Sequence, residues 1–122
     1  MKKTNEEYSL LYDYYGALLS DRQREVFELY YEDNLSLSEI AANLGVSRQA
    51  VHIALGKASG ILETYEEKLG LIARHAVTEK ALAEAVDKTD AILKDKVLAA
   101  LASPDVMKDL RRVKKIIKGL DI

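Results

Sequence analysis

The sequence predicts an all-α protein, on three observations. Apolar side chains recur three and four residues apart along most of the chain, the spacing of a buried helix face. Serine followed three residues later by Gln or Glu marks two helix starts, at Ser20/Gln23 and Ser36/Glu39. The single proline, Pro104, follows Ser103, an order that opens a helix rather than breaking one. The 122 residues suffice for one domain, or one domain with a helical extension, burying roughly two-thirds of the unfolded surface. The expected division is a helix-turn-helix domain over residues 1–70 and a C-terminal helical extension over 71–122.

The first element is expected over residues 5–18, where Tyr8, Leu11, Tyr12, Tyr15, Leu18 and Leu19 follow helical spacing. Gly16 weakens its last turn. The tyrosines could stack on bases, but at this spacing they are expected to pack on the next helix with their hydroxyls at the rim. Ser20 to Asp33 is the second helix, capped by Ser20 with Gln23 and turning Val26, Phe27, Tyr30 and Tyr31 inward. Its acidic residues Glu25, Glu28, Glu32 and Asp33 read as a solvated face, because nothing converges on them as catalysis would require.

Ser36 to Lys57 organises the chain. Ser36 and Glu39 cap a short helix, and Ile40, Ala41 and Leu44 share its inner face. Gly45 follows, where a left-handed backbone is cheap without a side chain. Ser47 caps the next helix, with Val51, Ala54, Leu55 and Ala58 inside. This is a helix-turn-helix. Its second helix is expected to run on through Ile61, Leu62, Tyr65 and Leu69 to an end or bend at Gly70. Gly56 and Gly60 lie one turn apart and suggest a close helix contact that offsets their cost.

The stretches LSDRQREVFELYY and LSLSEIAANLGVSRQAVHIALGKASGIL, Leu19 to Leu62, resemble region 4 of bacterial sigma factors and the LuxR-type helix-turn-helix. With the tyrosine-rich start LYDYYGALLSDRQREVFELYYEDNLSLSEIA and the tail Tyr65-Glu66-Glu67-Lys68-Leu69-Gly70, the chain is similar to the YlxM-like family of small bacterial helix-turn-helix proteins. The resemblance implies an all-helical, sigma-region-4-like fold. It also implies a role in the signal recognition particle (SRP) pathway, since the family's genes commonly lie beside those of the particle's protein and receptor.

In a helix-turn-helix the start of the second helix meets base edges. That start exposes Ser47, Arg48, Gln49, His52, Ile53, Gly56 and Lys57. Ser47 and Lys57 could hold phosphates, Arg48 could pair with guanine and Gln49 with adenine. Sigma factors usually carry further basic residues where this helix has His52 and Gly56. Charge weighs against duplex binding. The chain totals −2, and residues 1–77 hold 8 basic against 12 acidic side chains, so the helix-turn-helix lies in the acidic half. The alternative is that the same face docks a protein or is solvated.

After Gly70, a long helix is expected from Thr78 to Ala102, capped by Thr78 and striped by Leu82, Ala85, Val86, Thr89, Ile92, Leu93, Lys96, Val97 and Ala100. A last helix follows Ser103-Pro104, with Val106, Met107, Leu110, Val113, Ile116, Ile117 and Leu120 as its apolar face. Its other face carries Lys108, Arg111, Arg112, Lys114, Lys115 and Lys118. Residues 105–118 total +4, which suits RNA, an acidic protein or an anionic membrane surface, or a contact within the protein itself.

Other chemistries lack their residues. Cysteine is absent, which excludes disulfides and thiolate metal sites and fits a reducing compartment. A metal site needs three or four protein ligands, and His52 and His75, the two histidines, are not surrounded by such a set, so no metal site is expected. Neither GxxxxGK[ST] nor GxGxxG occurs, no catalytic triad can be assembled, and no cofactor is expected. The longest clean apolar run, Val97 to Ala102, falls far short of the ~20 residues of a membrane span. No apolar segment precedes Glu6 and Glu7, so the protein is expected to be cytoplasmic, without membrane insertion. The leading expectation is a non-catalytic regulatory or adaptor protein, with an SRP protein or RNA as partner by resemblance. The alternative is a DNA-binding transcriptional regulator reading with the helix that starts at Ser47. A homodimer through the alanine-rich surface of the last two helices is also expected.

Overall fold

Most helix starts carry a cap of their own. In the computed structural model, which describes residues 3–120, the helices are α1 (Asn5–Tyr15), α2 (Asp21–Phe27), α3 (Leu37–Leu44), α4 (Arg48–Leu69), α5 (Leu71–Lys94), α6 (Lys96–Leu101) and α7 (Pro104–Lys118). There is no strand among the described residues. Full capping boxes start α1, α2 and α3, at Thr4/Glu7, Ser20/Gln23 and Ser36/Glu39. Ser47 accepts from the Ala50 N–H at 3.0 Å, and Ser103 caps α7 ahead of Pro104. The chain divides into two compact units, one up to Ile72 and one from Ala73.

The first unit is a helical cluster with α4 as its spine. Tyr8, Leu11, Tyr15, Leu19, Val26, Phe27, Ile40, Ala41, Val51, Leu55, Ala58 and Leu62 form its buried core. α1, α2 and α3 all pack on α4. The tyrosine rings of α1 lie against the core, as their spacing predicts. Tyr12 stacks on Phe27 with ring centroids 5.0 Å apart, and Tyr31 lies 4.5 Å from Phe27. Their hydroxyls find carboxylates far away in sequence. Tyr8 donates to Glu63 at 2.7 Å, Tyr15 to Glu66 at 2.5 Å, and Tyr12 to Glu28. Glu66 also accepts from the Ile72 N–H, and the Tyr15 hydroxyl accepts from the Leu71 N–H, so the start of α5 is tied to this network.

Burial first, and the carboxylate beside each second, push the Tyr8 and Tyr12 hydroxyls up to about 12. The neutral phenol is therefore the form that folding favours. Its contribution is complete below the unfolded tyrosine pKa of about 10 and is lost as pH rises from there towards about 12. Denaturant midpoints are expected to fall progressively above about pH 10, and Tyr8→Phe should flatten that fall. Midpoints that do not change between about pH 8 and about pH 11 would contradict this.

The structure revises several expected elements. α1 ends at Tyr15, and Gly16–Leu18 form a 3-10 turn that leaves Leu18 exposed rather than inward. A Cβ on Gly16 would fall 2.7 Å from the Tyr12 ring, so any side chain here would have to displace that ring. The second helix ends at Phe27 and widens into a π-turn over Glu28–Glu32, closed by Asn34 in a left-handed conformation. α4 ends at Gly70, also left-handed, and the next helix starts at once at Leu71. Thr78 is thus an interior residue and not a cap, because nothing between Leu71 and Thr78 breaks a helix. His75 accordingly lies on α5 and His52 on α4.

The second unit also departs from the expected single long helix. Asp95 interrupts it, accepting from the Val97 and Leu98 N–H groups at 2.9 and 3.0 Å and starting α6. Among the described residues there are therefore three C-terminal helices and not two. Thr89 and Met107 are its buried side chains among the described residues. The expected stripe holds at Leu82, Ala85, Val86, Thr89 and Leu93 but fails at Ile92, Lys96, Val97 and Ala100, which are exposed. On α7, Met107 is buried and Leu110 and Ile117 are half-buried, whereas Val106, Val113, Ile116 and Leu120 face solvent.

Candidate nucleic-acid interface

The helix-turn-helix is built from local rules. Ile40 and Ala41 bury the inner face of α3, and the Gly45 backbone at φ +69° turns the chain into Ser47. A side chain at that φ is strained, so Gly45→Ala is expected to cost about 1 kcal/mol although no atom lies within 4 Å of the new Cβ. Thermal unfolding measures this. An unchanged midpoint would mean that the turn is not held left-handed. α4 then buries Val51, Leu55, Ala58 and Leu62 along one side.

The opposite side carries the residues expected to meet base edges. Ser47, Arg48, Gln49, His52, Ile53, Gly56 and Lys57 are all exposed. The Ser47 hydroxyl is engaged as acceptor by the helix cap. Arg48 and Lys57 are nine residues apart, about two and a half turns, and so stand on opposite edges of the exposed arc. Gln49, Ile53 and Gly56 lie between them, a neutral and partly apolar centre with Ile53 48 % exposed. Such an arc can straddle a groove with one cation on each side. It offers few cations to phosphates, so the electrostatic contribution this arc could make to duplex binding is small.

The expected close contact at Gly56 and Gly60 is not made, since no atom lies within 4 Å of a Cβ built on either. Both glycines instead open space beside α4. A cleft of about 540 Å³ is lined by Tyr8, Tyr31, His52, Gly56, Gly60 and Glu63 among others. A second, of about 600 Å³, is lined by Gln23, Lys57, Gly60, Ile61, Tyr65 and Lys68. Lys68 was not among the expected contact residues. Its spacing from Lys57, eleven residues or about three turns, puts both on one side of the helix and is legible in the sequence. Two other basic side chains of this unit are offset locally: Arg22 pairs with Glu25 at 3.6 Å and Arg24 with Asp21 at 3.2 Å.

The second cationic set lies on α7. Lys108, Arg111, Arg112, Lys115 and Lys118 are exposed. Lys114 differs. It is half-buried and forms an ion pair with Asp90 of α5 at 2.5 Å, which takes it out of the free cationic face. The hydrogen bond from Lys114 holds the Asp90 carboxyl below its ordinary range. No group of His, Cys, Asp and Glu among the described residues could hold a metal, and no described helix is long and apolar enough to cross a membrane.

Comparison with known proteins places this arrangement. Residues 1–101 match the family model UPF0122, described as "Putative helix-turn-helix protein, YlxM / p13 like", so the match spans α1 to α6 and stops before α7. A UPF0122 protein of Thermoanaerobacter sp. (strain X514) is 40 % identical over 116 residues, 93 % of each chain. A UPF0122 protein of Caldanaerobacter subterraneus subsp. tengcongensis is 58 % identical over 67 residues, 55 % of this chain and 57 % of its own. A third, from Streptococcus gordonii, is 41 % identical over 107 residues, covering 86 % of this chain and 96 % of its own. The chain belongs to the UPF0122, YlxM / p13-like family of helix-turn-helix proteins.

Proposed function

We propose that this protein is a non-catalytic regulatory adaptor of the cytoplasm that uses a sigma-region-4-like helix-turn-helix as a scaffold. The SRP pathway, through the particle's protein or its RNA, is the setting we assign to it. One observation carries the reading: free positive charge is thin on the face of α4 and concentrated on α7. The α4 arc has Arg48 and Lys57 at its edges and a neutral centre, in a half that holds more acidic than basic residues. α7 presents five exposed cations. A polyanionic or acidic partner is held by such a helix through summed charge rather than base reading. The SRP setting rests on the family resemblance and not on the geometry. The test is co-purification from native cells with and without nuclease, identifying protein and RNA. Recovery of SRP components supports the reading, and their absence from both preparations overturns the setting.

A second reading has its own observation. Gln49 and Ile53 stand free at the centre of the α4 arc, where a transcription regulator would place base contacts. On that reading the protein binds duplex DNA, and Arg48→Ala removes sequence preference at one position at a cost of about 1–3 kcal/mol. Duplex binding that is unchanged by Arg48→Ala would rule it out.

A further inference from the structure

α7 has three sides. Counted at 3.6 residues per turn, Met107, Leu110, Lys114 and Ile117 share the side turned inward, where Met107 is buried and Lys114 reaches Asp90. Lys108, Arg111, Lys115 and Lys118 share a second, cationic side. Val106, Val113, Ile116 and Leu120 share the third, and they are 48, 45, 49 and 50 % exposed. The cationic side and the exposed apolar side point nearly oppositely. The apolar side is therefore not part of the charged contact surface, and it needs a separate account.

Its spacing supplies one. Val106, Val113 and Leu120 are seven residues apart, and Ile116 falls three after Val113 and four before Leu120. These spacings match the a and d positions of a coiled-coil seam, with Asp109 at the remaining one, and they extend the apolar side of α7 beyond the part that Met107, Leu110 and Ile117 turn inward. The unit that presents it is thinly packed. Thr89 and Met107 are its buried side chains among the described residues, in a segment of about fifty residues, a size that needs a staple or a partner to hold together. The chain has no cysteine with which to staple it.

We propose that this seam is a homodimer contact, formed by α7 of two copies running antiparallel. Charge beside the seam selects the direction. Lys108, Arg111, Lys115 and Lys118 point away from it and Lys114 is held by Asp90, so the charges at or beside the seam are Asp105, Asp109 and Arg112. Parallel pairing sets Asp109 against Asp109 and Arg112 against Arg112. Antiparallel pairing sets each Asp109 near the other copy's Arg112, and opposes the helix dipoles as well. Asp109, the one polar residue at a seam position, then lies opposite Val113 of the second copy, beside that copy's Arg112. Val106 lies opposite Ile116. The Lys108, Arg111, Lys115 and Lys118 sides face outward on both copies, so dimerisation leaves them available. The inference goes beyond the adaptor reading and does not depend on it.

The test uses the full chain. Sedimentation velocity from about 1 µM to about 300 µM is expected to show a reversible dimer in the micromolar range. The double variant Val113→Glu, Ile116→Glu places charge in the seam and should raise the dissociation constant by at least about 100-fold. Both positions are exposed, so helical circular dichroism should match that of the parent chain. The orientation is read from cysteines. Val106→Cys with Ile116→Cys should cross-link under oxidation into a covalent dimer, since the two positions are about 15 Å apart along one helix and cannot bridge within it. Each single variant should cross-link poorly. A chain that stays monomeric at about 300 µM, or a dimer that survives the double glutamate variant, overturns the proposal. Efficient cross-linking by Val106→Cys alone overturns the antiparallel arrangement.

Discussion

Phe27→Ala is expected to remove about 3–5 kcal/mol from the first unit. Phe27 is 0 % exposed, at the point where α1 and the end of α2 meet over α4. Three rings depend on it. Tyr12 stacks on it at 12° between planes, Tyr31 tilts against it, and Tyr8 meets it edge-on at 6.5 Å. Truncation opens a cavity that these tyrosines cannot close, because Tyr8 and Tyr12 are anchored at their hydroxyls by Glu63 and Glu28. The loss is a large part of the 5–15 kcal/mol typical of a whole domain, so the melting temperature should fall by roughly 15–30 °C. Phe27→Leu keeps most of the volume and should cost less than half as much. Thermal circular dichroism measures both, and equal losses would mean that the aromatic ring itself, and not the volume it fills, carries the contribution.

Neutralising α7 should have the largest effect on function. Arg111, Arg112, Lys115 and Lys118 changed together to Gln remove four exposed cations and leave the Lys114–Asp90 pair in place. If α7 holds a nucleic-acid partner, affinity near physiological salt should fall by about 100- to 1000-fold, and the log–log salt slope should flatten by about three. The fold should not change, since these side chains support no core residue. Lys114→Gln is the contrasting control. It leaves the exposed cations and strands Asp90, so it should lower the stability of the second unit and spare binding. The pair also sets a pH dependence. Asp90 is held below its unfolded value, so its contribution is present above the ordinary carboxylate range and is lost as pH falls through the folded pKa.

The sequence was informative where the physics is local. Ser20 with Gln23, and Ser36 with Glu39, are capping boxes within four residues, and both form. Gly45 adopts the left-handed turn that its place after Leu44 implies. The helical spacing of Tyr8, Leu11 and Tyr15 gave the buried side of α1 because one helix face has one neighbour to cover it. Failures came where a distant partner or a competing local bond decides. Nothing local marks Glu63 and Glu66, and only the fold brings them to Tyr8 and Tyr15, 55 and 51 residues away. Asp95 sits within an apolar helical pattern, yet its side chain bonds two backbone N–H groups ahead of it and stops the helix. On α7 the periodicity marked what could be buried but not what covers it. Hence Val106, Val113, Ile116 and Leu120 were expected inside and stand exposed. For the candidate site, sequence placed Arg48, Gln49, His52, Ile53 and Lys57 on the exposed side of α4 because the core stripe fixes the opposite side. It missed Lys68 and the two clefts, whose walls come from separate helices.

The central claim is that the helix-turn-helix serves as scaffold and that α7 makes the charged contact. The most direct measurement is binding of the purified chain to the assembled signal recognition particle, alongside genomic duplex DNA, at physiological salt. The account predicts binding to the particle that Arg48→Ala leaves unchanged and the α7 neutralisation abolishes, with duplex at least about tenfold weaker. Tight, sequence-selective duplex binding that is lost on Arg48→Ala and unaffected by the α7 changes would contradict it.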